Sequence, residues 1–226
     1  MSAPRPVASH GHEHEFEPAL GLPETLPAGE TVLWQGSPCW RRLARERFHL
    51  RAIAAYFALI LLLRASYVYG EGGSAQDALL AAALPLPLMA AATGMLALIA
   101  WLSARTTVYT LTDRRIVMRI GIVLSLTFNL PLARITAADV RRLRDDCGHI
   151  ALHIGEPDRI ALVHLWPHAR PWHFARPQPM LCCIADAEGV SALLSRAWLA
   201  VHARTGQIGQ PAAAPVRTLP GGLVAS

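Results

Sequence analysis

Two long apolar runs occupy the middle of the chain, and a period of two replaces them afterwards. The first run extends from Phe48 to Tyr69, interrupted by Arg51 and Arg64. The second, from Ala78 to Ala104, holds no charged residue and is bounded by Asp77 and Arg105. A helix needs about 20 residues to cross a hydrocarbon core of roughly 30 Å. The second run exceeds that length. The first meets it as a helix over 50–69 when Arg64 lies near the far interface and snorkels beside Tyr67 and Tyr69. Polar and mixed sequence precedes the first run, which excludes a cleavable signal peptide. Pro85 and Pro87 each remove a backbone donor early in the second helix and predict a kink there. Together with Ala90, Ala91, Ala92, Thr93 and Gly94, the kink reads either as a docking notch for partner helices or as ordinary tolerance of small residues and proline in membrane helices.

From Thr106 the alternation begins. In Ile122–Leu130 the even positions Ile122, Leu124, Leu126, Phe128 and Leu130 are apolar, while Ser125, Thr127 and Asn129 are polar. This predicts a half-buried strand. Val108–Thr112 and Arg115–Ile120 precede it, with Gly121 as a turn residue; strands over 135–143, 150–154 and 160–166 follow. Short strands with turn signals between them favour an antiparallel sheet or small barrel. A helix closes the series: Asp186 suits its N-cap, and Val190, Leu193, Leu194, Ala197, Trp198 and Val201 form one apolar stripe. The strands-then-helix order is that of pleckstrin-homology-like (PH-like) domains. The predicted fold is therefore an α+β membrane protein, a two-helix transmembrane hairpin plus a PH-like antiparallel β-barrel or sandwich closed by a C-terminal helix.

Charge orients this arrangement. The chain is 53% hydrophobic and 16% charged, against roughly 25% charged in ordinary soluble domains. The loop 70–77 carries Glu71 and Asp77 and no arginine, whereas the outer flanks carry Arg41, Arg42, Arg45, Arg47 and Arg51 on one side and Arg105, Arg114, Arg115 and Arg119 on the other. Counting basic residues near the membrane ends leaves both termini in the cytoplasm. The expected order is a histidine-containing disordered tail over 1–14, a cytoplasmic segment over 15–39, a basic amphipathic juxtamembrane segment over 40–51, the helices over 50–69 and 78–104 around a periplasmic loop, a PH-like domain over 106–203 and a disordered tail over 205–226.

The basic residues are 21 arginines with no lysine, which excludes phosphate-loop lysines, Schiff bases and Ser-x-x-Lys hydrolases. A net charge of +5 is weak for nucleic-acid binding, and none is expected. Cys39, Cys147, Cys182 and Cys183 form no C-x-x-C pair and read as reduced thiols. No enzymatic constellation emerges, because Asp145-Asp146 and Glu156-x-Asp158 lack a partner base and read as solvated turns. Neither His10, His12 and His14 nor His164, His168 and His173 has metal-ligand spacing. No histidine lies within 52–63 or 78–104 to ligate a pigment, so no metal or cofactor is expected.

Two segments are candidate interaction sites. In 40–51, Trp40, Leu43, Ala44 and Phe48 share a helix face; with Arg41, Arg42, Arg45, Arg47 and Arg51 this suits an element lying on the inner leaflet, each arginine contributing about 1 kcal/mol near anionic lipid. The same arginines also set topology, and the two roles are compatible. Arg114, Arg115 and Arg119 offer a head-group pocket, although a period-two strand exposes such arginines in any case. The second segment, Trp166-Pro-His-Ala-Arg-Pro-Trp172, is a proline-stiffened loop. Its Trp166, His168, Arg170 and Trp172 suit partner contact, an interfacial anchor, or folding back onto the core.

Val108-Tyr-Thr-Leu-Thr-Asp-Arg-Arg-Ile-Val-Met-Arg-Ile-Gly121, followed by Asn129-Leu-Pro-Leu-Ala-Arg-Ile-Thr136, resembles the opening of bacterial PH-like membrane proteins, with their Y-x-L-T-x-R-R…G…P-L-x-x-I pattern. Pro27–Pro38 is similar to the segment these proteins place before their hairpin. More narrowly, Phe16-Glu-Pro18, Gly21-Leu-Pro-Glu24, Trp34-Gln-Gly-Ser-Pro38, Trp166–Trp172, Gln178-Pro179 and Cys183-Ile184 resemble the PuhB family, the photosynthetic complex assembly proteins of purple phototrophic bacteria. That resemblance covers roughly residues 15–200 and provides no catalytic residue. It implies a non-enzymatic inner-membrane assembly factor, in the intracytoplasmic photosynthetic membrane, for the reaction centre and its light-harvesting 1 ring. The implied partners are subunits of those complexes and membrane lipids, with a homodimer as a further expectation. The alternative is a generic membrane-anchored PH-like protein in lipid sensing or envelope transport.

Overall fold

A computed structural model of the chain describes Leu22, residues 26–143, 146–155, 161–174 and 176–204, and the backbone of Val216–Leu219. The tail over 1–14, most of 15–25, Asp145, Glu156, Asp158 and the rest of 205–226 lie outside the described residues.

The chain opens with β1 (Val32–Gly36) and a short helix α1 (Trp40–Glu46). His49, in the left-handed region (φ 50°), turns it into α2 (Leu50–Gly70). After a tight loop, Ser74 starts α3 (Ala75–Ala83): its hydroxyl accepts the Asp77 N–H, while the Asp77 carboxylate accepts the Ser74 N–H at 3.0 Å. This reciprocal cap satisfies two donors that a helix start leaves open. A further helix, α4 (Leu86–Thr106), continues α3 after a break at Leu84-Pro85. Leu50–Gly70 and Ala75–Thr106 are long and apolar enough to cross a membrane.

The proline kink takes the form of an interruption, and Arg64 completes it. Pro85 has no N–H for the carbonyl four residues back, that of Ala81. Arg64 Nε donates to that carbonyl at 2.7 Å. The one arginine deep in the first helix thus supplies the donor that the second helix lacks.

Beyond α4 come β2 (Val108–Thr112), β3 (Arg115–Ile120) and β4 (Leu126–Pro131), forming an antiparallel sheet in the order β1-β2-β3-β4. Pro131 and a 3₁₀ turn over Leu132–Arg134 then carry the chain to a second sheet. Here β5 (Ile135–Arg142), β6 (Cys147–Ile154) and β7 (Met180–Ala185) are antiparallel, and β8 (Val216–Leu219) lies parallel to β5, in the order β7-β6-β5-β8. Among the described residues the architecture is therefore mixed α+β with two sheets and no closed barrel. Pro131 cannot donate to a neighbouring strand, and the chain leaves the first sheet where a barrel would continue it. Part of the tail over 205–226, expected to lack structure, forms β8.

Tyr109, Leu111, Met118, Leu130, Val140, Ile150, Leu152 and Leu181 pack together in the main core. The last helix, α6 (Ala187–Arg204), adds Val190, Leu194 and Ala197, with Leu193, Trp198 and Val201 packed against them, the stripe anticipated from spacing. Asp186 caps it by accepting the Gly189 N–H at 2.9 Å. Trp198 Nε1 donates to the Ile135 carbonyl at 2.7 Å.

Two strand expectations fail. Residues 160–166 do not form a strand: Leu162–Leu165 is a single helical turn, α5. Leu162 and Leu165, three apart, both pack on the core, and in so short an apolar run the i,i+3 spacing cannot be separated from alternation. Ile122–Ser125 also drops out of the predicted strand, leaving β4 to begin at Leu126. Conversely, β1 and β7 escaped the periodicity reading.

Candidate functional site

A second apolar cluster lies where the arginine-rich flanks of the long helices meet the second sheet. Leu43, Ala44 and Phe48 from α1 and its C-terminal turn are buried with Ala100 and Ala104 of α4 and with Met180, Cys182 and Cys183 of β7. The apolar face of α1 is thus turned onto protein, which corrects its placement against the leaflet; Trp40 alone of that face stays exposed. Arg41 sits over the Trp40 ring at 5.6 Å, Arg45 and Arg51 face outward, and Arg42 is half-buried. Arg47 points inward. Its Nε donates to the Pro167 carbonyl at 2.9 Å and its Nη2 to the Ala169 carbonyl at 2.5 Å. A planar guanidinium suits this fork, where an ammonium would not.

Between those two carbonyls sits His168, 1% exposed. Tyr109 Oη lies 2.6 Å from its Nδ1, and Thr107 Oγ1 lies 3.1 Å from its Nε2. The phenol oxygen also accepts the Cys182 N–H at 3.2 Å, and the Thr107 hydroxyl donates to the Ser103 carbonyl at 2.7 Å. The tautomer follows from this arrangement: the Tyr109 O–H donates to Nδ1, and Nε2–H donates to Thr107. Burial, aided by nearby Arg47, pushes the His168 pKa down to about 3, so the ring is neutral. Burial likewise raises the Tyr109 phenol well above its ordinary range. One imidazole joins the last turn of α4, strand β2 and the Trp-Pro loop.

Arg170 is held by a second network. Its Nη1 donates to Asp139 Oδ2 at 2.6 Å and to Gln178 Oε1 at 3.0 Å, while His153 Nε2 lies 2.9 Å from the same carboxylate oxygen. Burial alone would raise the Asp139 carboxyl, but the hydrogen bonds from His153 and Arg170 outweigh it and keep the pKa below the ordinary value. Asp139, on β5, thereby ties the loop to the second sheet.

The four candidate contact residues of the loop divide accordingly. His168 and Arg170 face inward as fasteners, which corrects their placement on a contact surface. Trp166 is 56% exposed and Trp172 is 85% exposed. Trp166 meets Phe48 edge-on at 5.4 Å, and Trp172 meets Phe174 edge-on at 6.3 Å. Trp172 takes a left-handed backbone (φ 64°), a conformation that a bulky residue keeps only when its surroundings enforce it. Phe174, also exposed, belongs to the same face and was not singled out by sequence, although its spacing of two from Trp172 was a usable signal.

The arginines of the first hairpin are engaged elsewhere. Arg115 makes a two-pronged pair with the buried Glu30 at 2.7 and 2.9 Å, and Arg114 donates to the Gly29 carbonyl at 3.3 Å. Arg119 is half-buried on β3. The three do not converge on a head-group pocket. Of the histidines flanking the loop, His164 is exposed and His173 sits 2.9 Å from the Pro171 carbonyl. Among the described residues, no three His, Cys, Asp or Glu side chains come together as a metal site.

Two long apolar helices running into a pair of sheets closed by a C-terminal helix define a mixed α+β protein with a stiff aromatic loop beside the helix ends. The chain belongs to the bacterial PH domain family, whose model matches residues 49–198. It is 40% identical over 188 residues to a Rhodobacter capsulatus protein, covering 82% of this chain and 87% of that one; the relative is described only as an uncharacterized 23.7 kDa protein in the puhA 5′ region. No solved structure matches.

Proposed function

We propose that the protein is a non-enzymatic assembly factor of the inner, photosynthetic membrane, acting on subunits of the reaction centre and the light-harvesting 1 ring. In this reading α2 and the α3–α4 unit span the bilayer, both termini are cytoplasmic, and the PH-like domain presents Trp166, Trp172 and Phe174 to a protein partner. Exposed Leu59, Leu62, Leu63, Leu79, Leu84, Leu88 and Leu98 support the spanning role, since a water-soluble monomer rarely exposes apolar patches larger than a few hundred Å². The short acidic loop and the arginine-rich flanks support the orientation.

The observation that carries the partner reading is the fixed aromatic pair on the loop. Large rings on an already ordered segment bind with little conformational loss, and Arg47, His168 and Arg170 supply that order from three sides. Engagement of Arg114 and Arg115 with residues 29–30 weighs against the rival reading as a head-group sensor. The homologue encoded in the puhA region supports a photosynthetic role.

Deletion in a phototrophic host tests it. The expected outcome is loss of reaction centres and near-infrared absorption with normal respiratory growth, restored by the native gene and poorly by Trp172→Ala at equal protein level. Lipid or envelope defects without pigment loss would refute it.

A further inference from the structure

We propose that the β3–β4 tip, Ile122-Val123-Leu124, inserts into the lipid interface of the cytoplasmic leaflet as a third membrane contact beside the two helices. The proposal rests on the spanning reading of those helices. Val123 is 92% and Leu124 80% exposed, with Ile122 and Leu126 also exposed. Four apolar side chains thus crowd a turn that would ordinarily be polar, and none of them enters the core.

The tip is a formed turn. Gly121 has φ +124°, and a Cβ there would collide with the Leu124 carbonyl oxygen, so only glycine allows the backbone to close this tightly. The closure turns Ile122 and Leu124 out of the period-two pattern that would have buried them.

Register places the tip. β2 begins at Val108, just past the end of α4 at Thr106, and Val108 pairs with Arg119 of β3. β3 therefore brings the chain back to the end of the sheet from which α4 departs, and β3 touches α4. Gly121–Leu124 projects beyond that end. Close by on α4, the Arg105 guanidinium lies over the Trp101 ring at 5.0 Å, a pairing of aromatic and cation suited to the head-group level. Arg119 stands at the tip end of β3, opposite Val108, and from Ile116 to Ala133 the sequence has no acidic residue, which complements an anionic leaflet. Apolar side chains on a basic background at the root of a membrane helix fit lipid better than a water-facing partner. A third contact also fixes the tilt of the domain, and with it the direction in which Trp172 and Phe174 point.

The competing occupant is a second copy of the chain, because β4 is an edge strand of its sheet. Full-length protein carrying Cys39→Ser and Cys147→Ser, with Cys182 and Cys183 buried, would receive one labelling cysteine at Val123, at Leu98 in α4 or at Leu199 on α6. Each is labelled with an environment-sensitive fluorophore and placed singly in nanodiscs of phosphatidylglycerol and phosphatidylcholine with or without nitroxide lipid. The expected result is a blue-shifted Val123→Cys label losing more than half its emission to nitroxide near the head group, a quenched Leu98→Cys label and an unaffected Leu199→Cys label. Quenching at Leu98 with Val123 matching Leu199 would overturn this proposal and leave the spanning reading standing. An unquenched Leu98 label would overturn both. A Val123 signal that arises only when discs hold two copies would assign the tip to self-association and overturn lipid insertion.

Discussion

Replacing Tyr109 with phenylalanine removes one oxygen from the core and leaves its packing in place. That oxygen serves two buried partners: it donates to His168 Nδ1 at 2.6 Å and accepts the Cys182 N–H at 3.2 Å. A buried polar group left without a partner costs about 1–3 kcal/mol, so the variant, which orphans two, should lose about 2–6 kcal/mol. Tautomer exchange at His168 gives a poor escape. It would turn a donor toward the new phenyl ring and leave Nε2 to accept only from the Ser103 hydroxyl, at a long 3.4 Å, because the Thr107 hydroxyl already donates to the Ser103 carbonyl at 2.7 Å. For a chain of this size each kcal/mol moves Tm by roughly 2–4 °C, so thermal unfolding of the detergent-purified full chain should shift down by about 4–24 °C. Tyr67→Phe, on an exposed ring of α2, is the control and should leave Tm unchanged. Nitrogen chemical shifts of the His168 ring add a readout of the tautomer. A loss below about 0.5 kcal/mol, the usual scatter of a neutral surface change, would refute the network.

Acid should weaken the fold through its buried histidines. Burial, with Arg47 nearby, lowers His149 and His168 from 6.5 to about 3. Both are neutral when folded but take up a proton when unfolded, so their contribution is intact above pH 6.5 and is lost as pH falls toward 3, by about 1.4 kcal/mol per unit for each ring. His149→Asn keeps an acceptor for the Cys183 N–H, which His149 Nδ1 accepts at 3.0 Å, and should roughly halve the slope of stability against pH in this window; an unchanged slope would exclude His149 as a source. The Asp139 carboxyl, lowered from 3.8, adds its own loss only further down. In the hairpin, Arg64→Leu should destabilise by about 1–3 kcal/mol through the orphaned Ala81 carbonyl, and Pro85→Ala, which restores a helical N–H to it, should rescue much of that loss in the double variant. Equal unfolding temperatures for the single Arg64→Leu and double variants would show that the two positions are uncoupled.

Local pattern was enough wherever one element meets one environment. The two long helices, the break at Pro85, strands β2, β3, β5 and β6, and the stripe of α6 could all be read from windows of a few to some twenty residues, because burial of one face imposes its own period. The aromatic loop was legible as stiff and ring-rich for the same kind of reason, since proline acts on its immediate neighbours.

What only the tertiary structure decided concerns partners far apart in the chain. β1 joins β2 from 75 positions away, measured by the bond from Gln35 to Thr110. Arg47 reaches Pro167 across 120 positions, and Tyr109 reaches His168 across 59. No local window contains both members of such a pair. A histidine between two prolines looks the same whether its ring meets solvent or a buried tyrosine, and an arginine on an amphipathic helix looks the same whether it meets lipid or two carbonyls. The sheet-to-sheet packing settles these cases, because it determines which polar groups are cut off from water and must find each other.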